Sequence, residues 1–161
     1  MIIGVSGKKR VGKNTVGMYL ELKYGYKPVA FADELKNAAK TLGWDGRKDD
    51  KGRVLLQHLG CLVRAYDPNF WIKKAEVRIA DLIAHGQADF VVTDVRFPNE
   101  VEWVKSQGGV VIRVWSKTEI SDDAHESETA LDDYPFDFKV ESIRNDFNHL
   151  YQQVDAIVEA L

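Results

Sequence analysis

Residues 7–15 read Gly-Lys-Lys-Arg-Val-Gly-Lys-Asn-Thr and come directly after the short apolar run of residues 1–6. The spacing Gly7-x4-Gly12-Lys13 matches a phosphate-binding loop, except that Asn14 stands where Ser or Thr is usual and Thr15 follows it. Glycines let successive backbone N–H groups point inward, and the next helix adds its positive N-terminus. A surface turn is the alternative, but strand, loop and helix occur in the order that phosphate binding requires. The residues expected to bind nucleotide phosphates are Gly7, Lys8, Lys9, Arg10, Val11, Gly12, Lys13, Asn14 and Thr15.

Length and composition are typical of a globular protein. The 161 residues are enough for one domain with a buried core, and 45% of them are hydrophobic and 29% charged. Cys61 is the single cysteine, so an internal disulfide is excluded. The net charge of −3 gives no reason to expect nucleic acid as a partner. No apolar run resembles a signal peptide or a membrane span, so we expect a soluble cytoplasmic protein.

Short apolar runs alternate with longer segments whose apolar residues recur every three or four positions. The predicted strands are residues 1–6, 28–31, 90–93, 110–115 and 136–140. The predicted helices are residues 16–24, 35–42 with Asp33 as the cap, 53–65, 70–84, 98–107 and 147–161. Strands that alternate with helices predict a three-layer α/β fold, with a mainly parallel five-stranded sheet covered by helices on both faces. We expect one domain over residues 1–161.

Residues 93–100 read Thr-Asp-Val-Arg-Phe-Pro-Asn-Glu and follow a buried apolar strand. Asp94 should therefore emerge at the carboxyl end of that strand, the edge where open α/β sheets bind ligands. If this strand lies beside the first one, Asp94 is near the phosphate loop and can hold Mg²⁺ directly or through water. Arg96 can bind a second anion through its guanidinium fork. A turn that caps the next helix, with an Asp–Arg ion pair, is the alternative.

One face of the helix predicted over residues 53–65 carries Arg53, Gln57, Gly60 and Arg64. The apolar residues of the other side, which we expect to face the core, are Leu55, Leu56, Leu59, Leu62 and Val63. A polar stripe is often only the solvated side of a helix. Gly60 favours a binding surface, because glycine costs roughly 1 kcal/mol inside a helix and often marks the close approach of another group. The functional interpretation places a nucleobase against Gly60, with Gln57 at its edge and the arginines on phosphate.

Three further residues and one polar segment are candidates with clear alternatives. Trp71 has the spacing of a core residue, and lining a base pocket is its second interpretation. Asp33 and Lys36 open a helix directly after a strand, which suits binding at the sheet edge. Residues 116–133 are polar and acidic, so they are either a mobile lid or an acidic surface loop. Because that segment has little positive charge, we expect the basic run of residues 8–10 to supply it instead.

Together these segments resemble the deoxynucleoside monophosphate kinase family of bacteriophages. The matching segments are residues 7–15, 31–36, 56–60, 69–71, 93–100 and 125–128, which follow the family's order along most of the chain. The family loop reads Gly-Lys-Asp-Thr, whereas this chain has the uncharged Asn14 in the third of these positions. The resemblance implies transfer of the γ-phosphoryl group of ATP to deoxynucleoside monophosphates (dNMPs) with Mg²⁺. It also implies a helical monophosphate-binding region in residues 45–88 and a lid in residues 116–130.

The residue patterns and the resemblance assign a role to each candidate. Lys13, Arg10, Asp94 and Arg96 are expected to be catalytic, and Thr15 and Asp94 to hold Mg²⁺. The residues expected to bind the dNMP are Asp33, Lys36, Arg53, Gln57, Gly60, Arg64, Trp71, Arg96, Asn99 and Glu100. ATP and the dNMP are the expected small-molecule partners, a homodimer is left open, and neither nucleic acid nor a membrane is expected. A phage-encoded protein would work in the host cytoplasm.

Two other functions fit the same loop. One is a P-loop kinase for another small metabolite, such as dephospho-coenzyme A. The other is a nucleotide-binding switch or assembly protein that hydrolyses ATP slowly and adds phosphate to no acceptor. A panel of acceptors followed by product chromatography separates all three.

Overall fold

Strands and helices alternate along the residues that this computed structural model describes, 1–118 and 125–161. The strands are β1 (Ile2–Ser6), β2 (Lys27–Val29), β3 (Phe90–Val95), β4 (Val110–Trp115) and β5 (Phe138–Glu141). The helices are α1 (Lys13–Tyr24), α2 (Ala32–Thr41), α3 (Asp50–Tyr66), α4 (Phe70–Ala84), α5 (Pro98–Ser106), α6 (Glu126–Thr129) and α7 (Phe147–Glu159).

The described strands form one sheet of five in the order β2-β3-β1-β4-β5. The pairs β1–β3, β1–β4 and β4–β5 are all parallel, and the backbone N–H of Lys27 in β2 donates to Asp89 just before β3 at 2.8 Å. Because β1 lies between β3 and β4, the strand order reverses at β1, and the loop that follows β1 lies at this switch point. Ligands of open α/β sheets bind at such a point.

Successive residues of β1 point to opposite faces of the sheet, and each face has its own helices. Ile3 is fully buried in a cluster that includes Leu20 of α1 and Val154 of α7. A side chain at Gly4 would lie on the other face, 3.3 Å from Val104 of α5. Helices therefore cover both faces of a parallel sheet, which confirms the predicted three-layer α/β fold.

The chain divides into two compact units, residues 1–28 with 87–161 and residues 29–86. The first unit contains β1, β3, β4 and β5 with helices α1, α5, α6 and α7. The second contains α2, α3 and α4, which pack on one another. Among the described residues, no helix combines the length and the apolar character needed to cross a membrane.

Three predicted boundaries near the second unit are wrong, and a side-chain cap explains one of them. The second strand ends at Val29 and not at residue 31. Asp33 does not precede its helix but lies in the first turn of α2, where its Oδ2 accepts from the N–H of Ala30 at 3.0 Å. Helix α3 begins at residue 50, in the predicted loop, because Oδ1 of Asp49 accepts from the N–H of Gly52 at 2.8 Å and caps it.

The buried side of α3 is also not the predicted one. Leu62 is 70% exposed and Leu55 is 37% exposed, whereas Gly60 is buried. A side chain at Gly60 would lie 3.3 Å from Leu35 of α2, and the indole Nε1 of Trp71 in α4 donates to the Gly60 carbonyl at 3.5 Å. Because glycine has no side chain, α2 and α4 pack against this face of α3, so the expectation that all five apolar residues face the core is wrong.

Candidate active site

The loop between β1 and α1 turns sharply at positions that glycine suits. Gly7 has φ of +149° and a side chain there would lie 2.5 Å from the carbonyl oxygen of Val114, so no larger residue fits. Gly12, with φ of +112°, precedes the first residue of α1. Arg10 has φ of 65°, in the left-handed region that residues other than glycine seldom adopt. Such backbone strain is common where a loop is shaped to hold a ligand.

Lys13 opens α1 and is buried, with 8% of its surface exposed. Its Nζ donates to the carbonyl oxygens of Gly7 and Lys8, both at 2.7 Å. Burial is the main cause that lowers the pKa of Lys13 from 10.5 to about 8, and the positive charge of Arg96 lowers it further. The ammonium group is therefore poorly compensated by the protein, so an anion at the loop would stabilise it.

Asp94 and Arg96 lie at the carboxyl end of β3, next to this loop. Ser6, the last residue of β1, is paired with Val95 of β3. The charges of both residues act on the pKa of Lys13, Asp94 raising it and Arg96 lowering it. The structure thus places Asp94 and Arg96, two of the predicted catalytic residues, close to a third, Lys13.

A buried carboxylate fixes the turn that carries Arg96. Glu100, 5% exposed, accepts through Oε2 from the backbone N–H groups of Arg96 at 2.6 Å and Phe97 at 3.1 Å. Glu100 and Asn99 were predicted to contact the substrate, whereas in the structure the carboxylate of Glu100 holds backbone N–H groups. Contact of either side chain with substrate stays a prediction.

The side chain of Arg96 is held by Glu128, for which the sequence predicted no role beyond the lid segment 116–130. Its Nη1 forms an ion pair with Oε1 of Glu128 and donates to the carbonyl of Ser127 at 3.2 Å. The other carboxylate oxygen of Glu128 accepts from the backbone N–H of Lys9 at 2.8 Å. Glu128 thus joins the phosphate loop to the turn after β3.

A second carboxylate, Asp132, also pairs with cations beside the loop. Its Oδ1 forms an ion pair with Lys8 and lies 3.4 Å from Nη2 of Arg113. Arg113 donates through Nη1 to the hydroxyl of Ser6 at 3.2 Å and also lowers the pKa of Lys13. The sequence signal that could have identified Arg113 is a cation inside the apolar run of residues 110–115. The fold places it in β4 beside the last residue of β1, at the ligand-binding edge.

Mg²⁺ fits the oxygen atoms that the site offers. The predicted ligands Thr15 and Asp94 provide a hydroxyl and a carboxylate, which are hard oxygen donors. The described residues contain no group of three or more His, Cys, Asp or Glu side chains that could hold a metal alone. Mg²⁺ usually binds through one or two protein oxygens with water and substrate phosphates, so these two donors are compatible with it, and Mg²⁺ binding here stays a prediction.

Most of the predicted dNMP ligands belong to the second unit. Lys36 lies 3.5 Å from Asp33, and Arg53 lies 3.9 Å from Asp50, so each basic group has an acidic neighbour one helical turn away. Gln57 is half-buried on α3. A nucleobase against any of these residues stays a prediction.

The close approach that Gly60 permits is made by the chain itself. A side chain at Gly60 would lie 3.2 Å from Nη2 of Arg64, in addition to the neighbouring Leu35. Trp71 is 4% exposed, which fits the core interpretation of its spacing. Gly60 therefore does mark a close approach, as predicted, and the groups that approach it are side chains of the protein itself.

The predicted lid falls partly outside the described residues, which omit 119–124. Of the remainder, residues 126–129 form the single turn of α6, and Nδ1 of His125 accepts from the N–H of Ser127 at 3.2 Å. Lys8 donates from Nζ to the carbonyl of Glu128 at 2.7 Å. This part of the segment is therefore bonded to the phosphate loop, and its action as a lid stays a prediction.

The sequence profile of one protein family matches this chain. Residues 51–154 match the family described as deoxynucleotide monophosphate kinase. A protein of Acanthamoeba polyphaga mimivirus, provisionally named a deoxynucleotide monophosphate kinase, is 32% identical over 81% of this chain and 82% of its own length. The deoxynucleotide monophosphate kinase of Escherichia phage RB69 is 28% identical over 86% of this chain and 56% of its own length. The chain thus spans little more than half of that phage enzyme.

A solved kinase shares the fold at low sequence identity. Dephospho-CoA kinase from Campylobacter jejuni superposes with a TM-score of 0.52 and 14% identity, over 99% of this chain and 96% of that one. A likeness at this identity extends to the fold and not to the substrate.

Proposed function

The chain belongs to the deoxynucleotide monophosphate kinase family, and we propose that it transfers the γ-phosphoryl group of ATP to the phosphate of a deoxynucleoside monophosphate. The kinase activity follows from membership of this family. The choice of ATP as donor and of a dNMP as acceptor is the proposal.

The observation that supports it most is the pairing of two cations from different segments beside one loop. Lys13 comes from the helix after β1, and Arg96 comes from the turn after β3. The two charges lie close enough to interact, because Arg96 lowers the pKa of Lys13. Two cations beside a phosphate loop suit a reaction in which two phosphate groups meet.

Transfer needs positioning and charge stabilisation more than acid or base chemistry. An oxygen of the acceptor phosphate attacks the γ-phosphorus, the bond to the bridging oxygen of ATP breaks, and ADP leaves with that electron pair. The second pKa of a phosphate monoester is about 6, so the acceptor is already ionised at neutral pH. No general base is needed for the acceptor.

The residues of the loop and of the β3 end have distinct tasks in this scheme. Nζ of Lys13 exchanges the carbonyl oxygens of Gly7 and Lys8 for β- and γ-phosphate oxygens. Arg96 orients the acceptor phosphate, and Arg10 adds charge beside the transferring group. Thr15 and Asp94 would hold Mg²⁺, which supplies neutralisation of the phosphate oxygens when bound.

Acceptor recognition is proposed for the polar face of α3. Gln57 has the hydrogen-bonding groups to read a base edge, and Arg53 and Arg64 carry positive charge on the same helix. Asp33 and Lys36 complete the proposed set, whereas Trp71 is buried in the core.

The test is an assay of ADP release with each common dNMP and NMP, followed by chromatography of the products. Dephospho-coenzyme A is included as an acceptor, because a kinase of that substrate shares the fold. We expect deoxynucleoside diphosphate as the product. ATP hydrolysis without phosphate on any acceptor would identify a switch protein instead.

Two variants locate the activity in the proposed site. Lys13→Ala should lower kcat/KM by about 100-fold or more, as removal of a charge that stabilises a transition state typically does. Lys139→Ala, which removes an exposed lysine of β5, is the matched control and should stay within about twofold. Arg96→Ala should act mainly on use of the dNMP. Near-normal diphosphate formation by the Lys13 variant would contradict the assignment.

A further inference from the structure

We propose that Glu128 is a built-in competitor of the nucleotide: its carboxylate fills an oxyanion position between the backbone N–H of Lys9 and the guanidinium of Arg96, and a phosphoryl group replaces it. The inference rests on the proposed function only in naming the natural ligands: ATP, and the acceptor whose phosphate meets it beside Arg96. It gives residues 125–130 a role that the kinase reaction does not itself require.

The surroundings of Glu128 are those of an anion site. Its side chain is 4% exposed, so the carboxylate is removed from water. One oxygen accepts from the N–H of Lys9 at 2.8 Å, and the other pairs with Nη1 of Arg96. A backbone N–H of a glycine-rich loop and a guanidinium are also the donors that phosphoryl oxygens prefer. The carboxylate therefore uses the bonds that a phosphoryl group would need.

The two ligands cannot use these donors at the same time. The N–H of Lys9 has one hydrogen to donate. A carboxylate that stayed in place would lie against phosphoryl oxygens, and two like charges a few ångströms apart in a buried site repel strongly. Since the carboxylate and the phosphate oxygens exclude each other, binding of a polyphosphate must expel Glu128.

Expulsion of the carboxylate affects the whole turn of α6. The backbone of the same turn is also bonded to the site: Arg96 donates to the carbonyl of Ser127, and Lys8 donates to the carbonyl of Glu128. These bonds use the same cations that a polyphosphate attracts. We therefore expect residues 125–130 to loosen from the loop when a polyphosphate binds.

Affinity for inorganic tripolyphosphate, measured by calorimetry at neutral pH and fixed ionic strength, tests the exchange without any phosphoryl transfer. Glu128→Gln keeps the size of the side chain and removes the charge that competes, so it should bind about tenfold more tightly than wild type. Glu126→Gln removes the same charge from an exposed residue of the same helical turn and is the matched control. It should change affinity by less than about twofold.

An equal or weaker affinity of Glu128→Gln overturns the inference, and so does an equal gain in both variants. If Glu128→Gln fails to fold, hydrogen exchange of wild-type residues 125–130 decides. Faster exchange with saturating tripolyphosphate supports displacement, and unchanged or slower exchange refutes it. Suppose that Glu128→Gln binds tripolyphosphate more tightly but the protein forms diphosphate from no dNMP. The proposed function is then wrong and this inference still holds. If the protein forms diphosphate but Glu128→Gln leaves the tripolyphosphate affinity unchanged, the proposed function holds and this inference is wrong.

Discussion

The fold lowers the pKa of Lys13, and this shift leads to two measurable predictions. Its pKa of about 8, against 10.5 for an exposed lysine, follows first from burial and then from the nearby Arg96. A folded pKa below the unfolded one means that the unfolded chain binds more protons between these values. The free energy of unfolding should therefore rise with pH from about 8 to about 10.5 through this residue.

The same pKa predicts that nucleotide binding takes up protons. Phosphates beside the ammonium raise its pKa, so at pH 8 each binding event should take up about half a proton. Calorimetry of ATP binding in buffers of different ionisation enthalpy measures that number. Lys13→Arg keeps a charge that does not titrate in this range, and its proton uptake should vanish. Uptake that persists in this variant, or none in wild type, would contradict the assignment to Lys13.

At the scale of elements, the contact between α1 and β3 sets how close the loop lies to Asp94. A side chain at Gly17 of α1 would lie 2.6 Å from the Cγ2 of Thr93, the residue before Asp94. Glycine at this position lets the helix approach the strand, and that approach brings the loop end of α1 toward the strand end that carries the carboxylate.

Gly17→Ala should therefore destabilise the protein by about 1–3 kcal/mol, the usual cost of overpacking a buried contact. Thr93→Ser removes the methyl group in question, so the double variant should recover most of that loss. Chemical denaturation of the two single variants and the double variant gives the coupling energy. Simple additivity of the two losses would show that this contact does not cause the strain.

At the scale of the molecule, the predicted donor and acceptor residues belong to different units of the chain. The phosphate loop, Asp94 and Arg96 lie in the unit of residues 1–28 and 87–161, and the polar face of α3 lies in residues 29–86. The proposal that α3 recognises the acceptor therefore makes a separate prediction from the one on the loop.

Gln57→Ala should raise KM for the preferred dNMP by about tenfold, the effect of one lost hydrogen bond to substrate, and leave KM for ATP nearly unchanged. Its neighbour His58 is exposed on the same helix, so His58→Ala is the matched control. Initial rates with each substrate varied in turn separate the two constants. An equal change in both constants would show that the residue supports the fold and not the acceptor.

The local patterns of the sequence predicted most elements and the chemistry of the loop. A strand, a glycine-rich turn and a helix are specified by residues that are close in sequence, so residues 7–15 could be interpreted without their neighbours. The same holds for Asp94 and Arg96, because the end of a buried strand is visible in its apolar run. The five strands and their alternation with helices were available at this level, and the sheet confirmed them. The family resemblance was available too, and the family match over residues 51–154 confirmed it.

Tertiary structure decided which side chains meet. Lys9 and Glu128 are 119 positions apart, and only the order of the strands brings them within a hydrogen bond. The buried face of α3 was mispredicted for the same reason, since the partner of Gly60 lies on another helix. Periodicity identifies the faces of an element but not the neighbour that each face contacts, because contact depends on packing between segments far apart in sequence. The phosphate-loop motif is therefore visible in the sequence, whereas the contact of Glu128 with that loop is decided only by the fold.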